Sequence, residues 1–325
     1  MKTLCKDMLL AALLGLVLPA VILNSVVFAL DRLEGIVPEA AAQEELVVET
    51  TFQAVPAPVL LRLSGGTVEE RDMDAYLVGV VLAEMPASFE LEALKAQAVA
   101  ARTYAWKAYT TGGKHEDGSV CTDSGCCQAY ISEEDYLSKN GNWENLQRVR
   151  SAVYATSGQV VTYEGALIEA AYFSCSGGST EDAQAVWSTA LPYLQAVDSP
   201  GEEAAAWYQD KVSFSFQEFQ DKLELTLEGE PEQWFGETTY TDGGGVATME
   251  IGGEKYAGTL LRSKLGLRST AFTVTVGEDI TITTRGYGHR VGMSQYGADA
   301  MAVRGSTYRE ILAHYYTGTE VTEIT

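Results

Sequence analysis

Positive charge is in short supply in this chain. Lysine and arginine number 22 against 45 aspartates and glutamates, a net charge of −23, which argues against nucleic acid as a partner because two polyanions repel. No G-x-x-x-x-G-K-[ST] loop and no G-x-S-x-G turn occurs, so P-loop phosphoryl transfer and serine hydrolysis from a nucleophile elbow both lose support. No internal repeat of about 20–50 residues is visible, which removes stacked-repeat architectures. Histidine and cysteine are scarce, with three and five copies. Against that background, "KHEDGSVCTDSGCCQAY" gathers His115, Cys121, Cys126 and Cys127 within thirteen consecutive positions. The loop is rich in Gly, Ser and Asp, so core packing does not explain the cluster.

What the chain does have begins with an apolar run of 23 residues, 8–30, interrupted by Pro19, Asn24 and Ser25 and preceded by Lys2 and Lys6. It is long enough to span a bilayer. The cations before it, and Asp31, Glu34 and Glu39 after it, place the N-terminus in the cytoplasm and the rest outside. A cleaved signal peptide is the alternative, but the run exceeds the usual apolar region of about 7–15 residues, which favours an uncleaved anchor. Residues 31–57, rich in Ala, Glu and Val, read as a stalk. Roughly 270 residues remain, enough for one large domain or two smaller ones.

Within them, "PVLLRLSGGTVEERD" reads as two strands around a Gly65-Gly66 turn. The spacing of Tyr76, Leu77, Val80 and Val81 predicts a helix from about Met73, whose apolar stripe extends to Glu84 before Pro86 ends it. A second helix, about Leu91 to Tyr109, carries the small-residue stripe Leu94, Ala98, Ala101 and Ala105, with Arg102 on or beside it. The cysteine loop follows, then a helix from about Trp143 to Thr156, then strands "QVVTY" and "LIEAAYFS" across Glu164-Gly165. After Pro200 the pattern changes to short strands alternating with two short helices. Two further helices close the chain, the last with a Thr307-x-x-Glu310 capping box and Gly318 at its end. The expected fold class is α+β: a mixed helix and strand core (58–200 and 281–325), a small inserted α+β subdomain (201–280), and an N-terminal transmembrane helix.

Three segments carry residues suited to chemistry. Glu84 puts a carboxylate on a buried face, where desolvation raises its pKa toward the range useful for proton transfer; a structural ion pair with Arg102 explains the same position equally well. In "AAYFSCSGGSTED", Tyr172, Ser174 and Ser176 lead into a Gly177-Gly178 turn whose bare backbone can approach a ligand, although an ordinary polar turn has the same composition. Cys175 has no Cys-His-Asn spacing that would make it a nucleophile, so it is expected to be buried or disulfide-linked. In "GYGHRVGMSQYGA", four glycines surround His289, Ser294, Gln295 and Tyr296, a mix of backbone donors and an aromatic face suited to a polyhydroxylated ligand.

"YLVGVVLAEMP" with "ALKAQAVAARTYA" close behind, "AYFSCSGGSTE" and "GYGHRVGMSQYGA", in this order and separation, resemble the stage II sporulation protein D family, peptidoglycan lytic transglycosylases of endospore-forming bacteria. The resemblance covers about residue 58 to the end. It implies a membrane-anchored, extracytoplasmic enzyme that cuts glycan strands during forespore engulfment, between the mother-cell and forespore membranes. Its implied partners are a cell-wall amidase and a membrane scaffold protein. By the same resemblance Glu84 is the catalytic acid and base, while Arg102, Tyr172, Ser174, Gly177, Gly178, His289, Gln295 and Tyr296 line the substrate site. Ser174 stands where relatives often carry a basic or histidine side chain, and Arg290 where glycine is usual.

The cysteine loop has the spacing H-x5-C-x4-C-C, four ligands for a structural zinc. A Cys121–Cys126 disulfide is the alternative on the outer face of a membrane. It would leave His115 unexplained and a thiol over. The resemblance implies zinc here as well, in a structural role, since some members of that family bind it in the corresponding loop while others lack the ligands. Two other functions compete with glycan cleavage: a noncatalytic glycan-binding or scaffold protein, and a zinc-dependent cell-wall hydrolase.

Overall fold

The computed structural model describes residues 57–140 and 142–324. The apolar run 8–30 and the stalk up to residue 56 lie outside the described residues. Among those described, no helix is long and apolar enough to cross a membrane.

In chain order the elements are β1 (Pro58–Arg62), β2 (Val68–Asp72), α1 (Met73–Glu84), α2 (Leu91–Thr111), β3 (Val120–Cys121), α3 (Glu133–Asn140), α4 (Trp143–Ala155), β4 (Gln159–Tyr163), β5 (Ala166–Leu167), β6 (Tyr172–Phe173) and α5 (Ala183–Trp187). There follow β7 (Gln209–Phe214), α6 (Phe216–Leu223), β8 (Phe235–Tyr240), β9 (Val246–Ile251), β10 (Glu254–Ala257), α7 (Gly258–Leu265), β11 (Phe272–Val276) and β12 (Ile280–Arg285). The chain closes with β13 (Met293–Ser294), α8 (Gln295–Val303), α9 (Tyr308–Tyr315) and β14 (Glu320–Glu323). The described part is a mixed α+β fold.

Helix α1 starts because the Asp72 side chain accepts from Ala75 N at 2.9 Å, and it stops at Met85, which is extended as the residue before a proline prefers. Helix α2 is the hub of the main core and packs against α1, α4, α8, α9 and β4. It is buried almost all round from Ala93 to Thr103, not along one stripe alone. The physical reason is size: its buried alanines let neighbours approach from every side. Main-core strands form three small sheets, ordered β2-β1-β3, β14-β4-β5 and β13-β6.

The stretch "LIEAAYFS" does not form one strand. Ala166–Leu167 pairs antiparallel with β4, whereas Tyr172–Phe173 pairs in parallel with β13, far along the chain. The chain changes sheets between them. A second hydrophobic cluster, from Phe214 through Phe219, Trp234, Met249 and Leu261 to Ile282, fills the space between sheets β10-β9-β8 and β11-β12-β7 and helices α6 and α7. Its strand β12 runs to Arg285, past the boundary at 280 expected from sequence.

Candidate functional site

A cavity of about 590 Å³ opens where the end of α1, the cysteine loop, β6 and the loop after β12 meet. Glu84, the last residue of α1, lines it, and Glu84 Oε1 accepts from Ala129 N at 2.6 Å. Burial raises the Glu84 pKa; the Ala129 N–H and the Gln295 side-chain amide pull it back in part. The Ala129 contact depends on Gly79. A Cβ at Gly79 would lie 2.4 Å from the Tyr130 ring, and with none there Ile131 N donates to Gly79 O at 3.2 Å, laying the end of the cysteine loop along α1.

Tyr172 also lines the cavity. Its hydroxyl donates to Gln128 Oε1 at 2.8 Å, and Gln128 Nε2 donates to the Tyr76 hydroxyl at 3.0 Å. Burial, then the nearby Glu84, pushes the Tyr172 phenol well above its ordinary range. Three consecutive residues therefore do separate jobs: Cys127 joins the thiol cluster, Gln128 holds Tyr172, and Ala129 holds Glu84.

His289 and Ser174 complete this wall. The His289 ring lies 5.6 Å from Phe173 and 5.4 Å from Trp187, and Nδ1 accepts from Val291 N at 3.1 Å. Burial first, and the positive charge of Arg262 next, lower its pKa to about 4, so it is neutral at pH 7. Ser174 is fixed through its backbone, its carbonyl accepting from Tyr296 N at 3.1 Å.

Other residues expected at the site lie elsewhere. Arg102 is fully buried and pairs with Asp74 Oδ1 at 2.8 Å, with further bonds to Val153 O and Gln159 O. Asp74 begins α1 and Glu84 ends it, about 15 Å apart along the axis. Arg102 thus clamps the far end of the helix; it touches neither Glu84 nor the cavity. Gln295 is buried behind Glu84 with its amide 3.5 Å from Gln97 Oε1, so it faces the carboxyl and not a ligand. Tyr296 packs edge-on to Phe89 at 5.0 Å and does not line the cavity.

Gly177 and Gly178 turn with positive φ, as expected, but their backbone serves the protein itself. The buried Glu202 carboxylate accepts from Ser176 N at 2.6 Å, Gly177 N at 3.2 Å, Ser176 Oγ at 2.9 Å and the Cys175 thiol at 3.0 Å. A Cβ on Gly177 would stand 2.6 Å from Gly286 N, so the bare backbone there admits another segment of the chain, not a ligand. Cys175 is a buried free thiol whose pKa burial raises. Arg290 adopts φ 66°, the left-handed region that suits glycine, and its guanidinium bonds Ser176 O, Ser179 O, Gly243 O and Glu181. It keeps the glycine-like backbone and adds a clamp between the two hydrophobic clusters.

His115, Cys121, Cys126 and Cys127 come together. Their ligand atoms lie within 4.8 Å of one another, with Cys126 Sγ 3.7 Å from His115 Nε2 and 3.9 Å from Cys127 Sγ. A tetrahedral zinc with Zn–S of about 2.3 Å spaces two sulfurs about 3.8 Å apart, so the donor set fits that ion. The three cysteines form no disulfide. The bend between the adjacent ligands comes from Asp123, whose carbonyl accepts from both Cys126 N and Cys127 N, and not from a left-handed Gly125. Sequence reasoning missed Gln128 and Ala129, whose one available signal is that they directly follow a ligand. It also missed Tyr104, Glu169 and Trp187 of the cavity wall, which carry no motif.

Comparison with known proteins places the chain by sequence. Residues 64–163 match the family described as Stage II sporulation protein. Stage II sporulation protein D of Bacillus amyloliquefaciens is 40% identical over 302 residues, covering 91% of this chain and 87% of that protein. Its counterpart in Bacillus subtilis (strain 168) is 41% identical over 280 residues, 84% of this chain and 81% of the relative. A protein of the same strain named Amidase enhancer is 32% identical over 306 residues, 76% of this chain but 40% of its own length.

Proposed function

Because this chain belongs to the stage II sporulation protein D family, we propose that it is a sporulation lytic transglycosylase that cleaves the bond between N-acetylmuramic acid and N-acetylglucosamine in peptidoglycan. The observation that carries this reading is one carboxyl group, Glu84, raised in pKa by burial and opening onto the cavity beside Tyr172. The other carboxylate of the wall, Glu169, is already paired with Lys107 Nζ at 3.1 Å. Ordinary glycosidases divide the work between two carboxyl groups flanking the bond. Here one suffices in sequence. Protonated Glu84 gives its proton to the linking oxygen as the C1–O bond breaks; the resulting carboxylate then takes the proton of the muramic acid 6-hydroxyl as O6 bonds to C1. The product is a 1,6-anhydro sugar, no water is consumed, and Glu84 ends protonated as it began.

The Ala129 N–H, bonded to Glu84 Oε1, orients the carboxyl and steadies its ionised form between the two steps. Neutral His289 and Tyr172 supply polar contacts for sugar hydroxyls. Zinc held by His115, Cys121, Cys126 and Cys127 would crosslink the loop; four protein ligands leave no open position for catalysis. In this reading residues 8–30 anchor the protein, the folded part faces the space between mother cell and forespore, and a cell-wall amidase and a membrane scaffold act beside it. The relative named Amidase enhancer favours a second reading, a noncatalytic scaffold role beside a cell-wall amidase. Release of product by the unmutated protein separates the two, since a noncatalytic protein releases none, and Glu84→Gln then tests the catalyst. That variant should keep the fold and lower product release by at least about 100-fold; unchanged release would remove Glu84 as the catalyst.

A further inference from the structure

The cavity wall carries exposed aromatic rings that the chemistry at Glu84 does not use, and one of them continues to a further ring outside the cavity. Trp187, 38% exposed, and Tyr287, 37% exposed, both line the cavity. Next to Tyr287, at 6.1 Å between ring centroids, stands Trp207, 39% exposed and outside the cavity. Single exposed aromatics are ordinary on a protein surface, but three beside one opening are a patch.

The outer pair is fixed in place. The Arg268 guanidinium lies 4.0 Å over the Trp207 ring and 5.0 Å over Tyr287, while Arg268 Nε donates to Asp210 at 3.1 Å. Its charge is thus already met, and what it supplies is a brace. The backbones are locked to each other as well. Gly286 N donates to Tyr208 O at 3.0 Å, Gly288 N to Arg268 O at 3.1 Å, and Tyr287 N to Cys175 O at 2.7 Å. Rings held this rigidly lose little freedom when a ligand settles on them.

We propose that Trp207 and Tyr287, braced by Arg268, form an outer stacking subsite for a sugar ring of a glycan strand whose neighbouring unit occupies the cavity. Pyranose rings present flat C–H faces that suit an aromatic ring, and continuity with the cavity wall through Tyr287 makes a polysaccharide the occupant. The subsite rests on the reading that the cavity binds glycan. It makes the protein select for strand length: a short oligosaccharide fills the cavity alone, and a long strand gains the platform.

The test uses the full chain carrying Glu84→Gln, so that strands persist, and compares binding of a disaccharide with binding of purified glycan strands several disaccharides long. Adding Trp207→Ala should weaken long-strand binding by about tenfold, the scale of one aromatic contact, and leave the disaccharide unchanged. Trp207→Leu, which keeps apolar bulk without the ring, should do the same at an unaltered melting temperature. Equal losses for both ligands, or no loss for the long strand, would overturn the subsite and leave the glycan reading intact. Absence of binding to either ligand before Trp207 is touched would overturn both.

Discussion

Glu84 and Arg102 mark how far single residues could be read. Helical spacing put both on buried faces; Arg102 is fully buried, and Glu84 is half-buried at the cavity. Their pairing was not legible, because α1 offers carboxylates at each end and only the alignment of α2 along α1 selects Asp74 over Glu84. Arg102→Ala should therefore leave Asp74 buried without its cation and cost about 3–5 kcal/mol, read as a lower denaturation midpoint. Equal stability with lost activity would instead return Arg102 to the substrate site. For Glu84 the folded pKa is raised, so its protonated form is favoured in the fold. Its contribution to stability is complete below the unfolded pKa and is lost as pH rises through the folded value, because the ionised carboxylate is the form that burial penalises. Glu84→Gln should accordingly be more stable than the parent at neutral pH and no more stable in acid. A melting difference independent of pH would contradict the burial argument. Under the proposed chemistry the same raised pKa should give turnover an alkaline limb, falling as the acid form of Glu84 is titrated.

At the scale of elements, the strongly periodic helices were legible, as was the Thr307–Glu310 capping box, which is present in full. Helix α3 was not, because its first turn is Glu133, Glu134 and Asp135 and it carries little apolar surface. Strand β6 was misplaced because parallel pairing with β13 depends on residues far along the chain. The element that bears most on the proposed function is the cysteine loop, in which the gathering of His115, Cys121, Cys126 and Cys127 was legible and the exit was not. From Cys127 it passes directly to the residues that hold Tyr172 and Glu84. Removing metal should accordingly lower the melting temperature and speed hydrogen exchange at the Ala129 amide. Cys121→Ser should reduce bound zinc from about one per chain to a small fraction. Metal loss with an unchanged Ala129 exchange rate would uncouple the loop from the site.

At the scale of the whole molecule, the sequence indicated an α+β body and the three segments that would meet, but not how they meet. The cavity takes Glu84, Tyr172, Ser174 and His289, while Arg102, Gly177, Gly178, Gln295 and Tyr296 build the scaffold around it. That division arises because the Gly-rich turns close on the protein's own Glu202 and on neighbouring backbone, a partner choice set by packing across the fold. The central claim is the chemistry of one carboxyl group, and the most direct measurement is mass spectrometry of the ends that the purified protein releases from peptidoglycan glycan strands. We expect 1,6-anhydro-muramic acid ends, lost in Glu84→Gln while zinc content stays the same. Reducing ends, or anhydro ends released at the normal rate by Glu84→Gln, would contradict it.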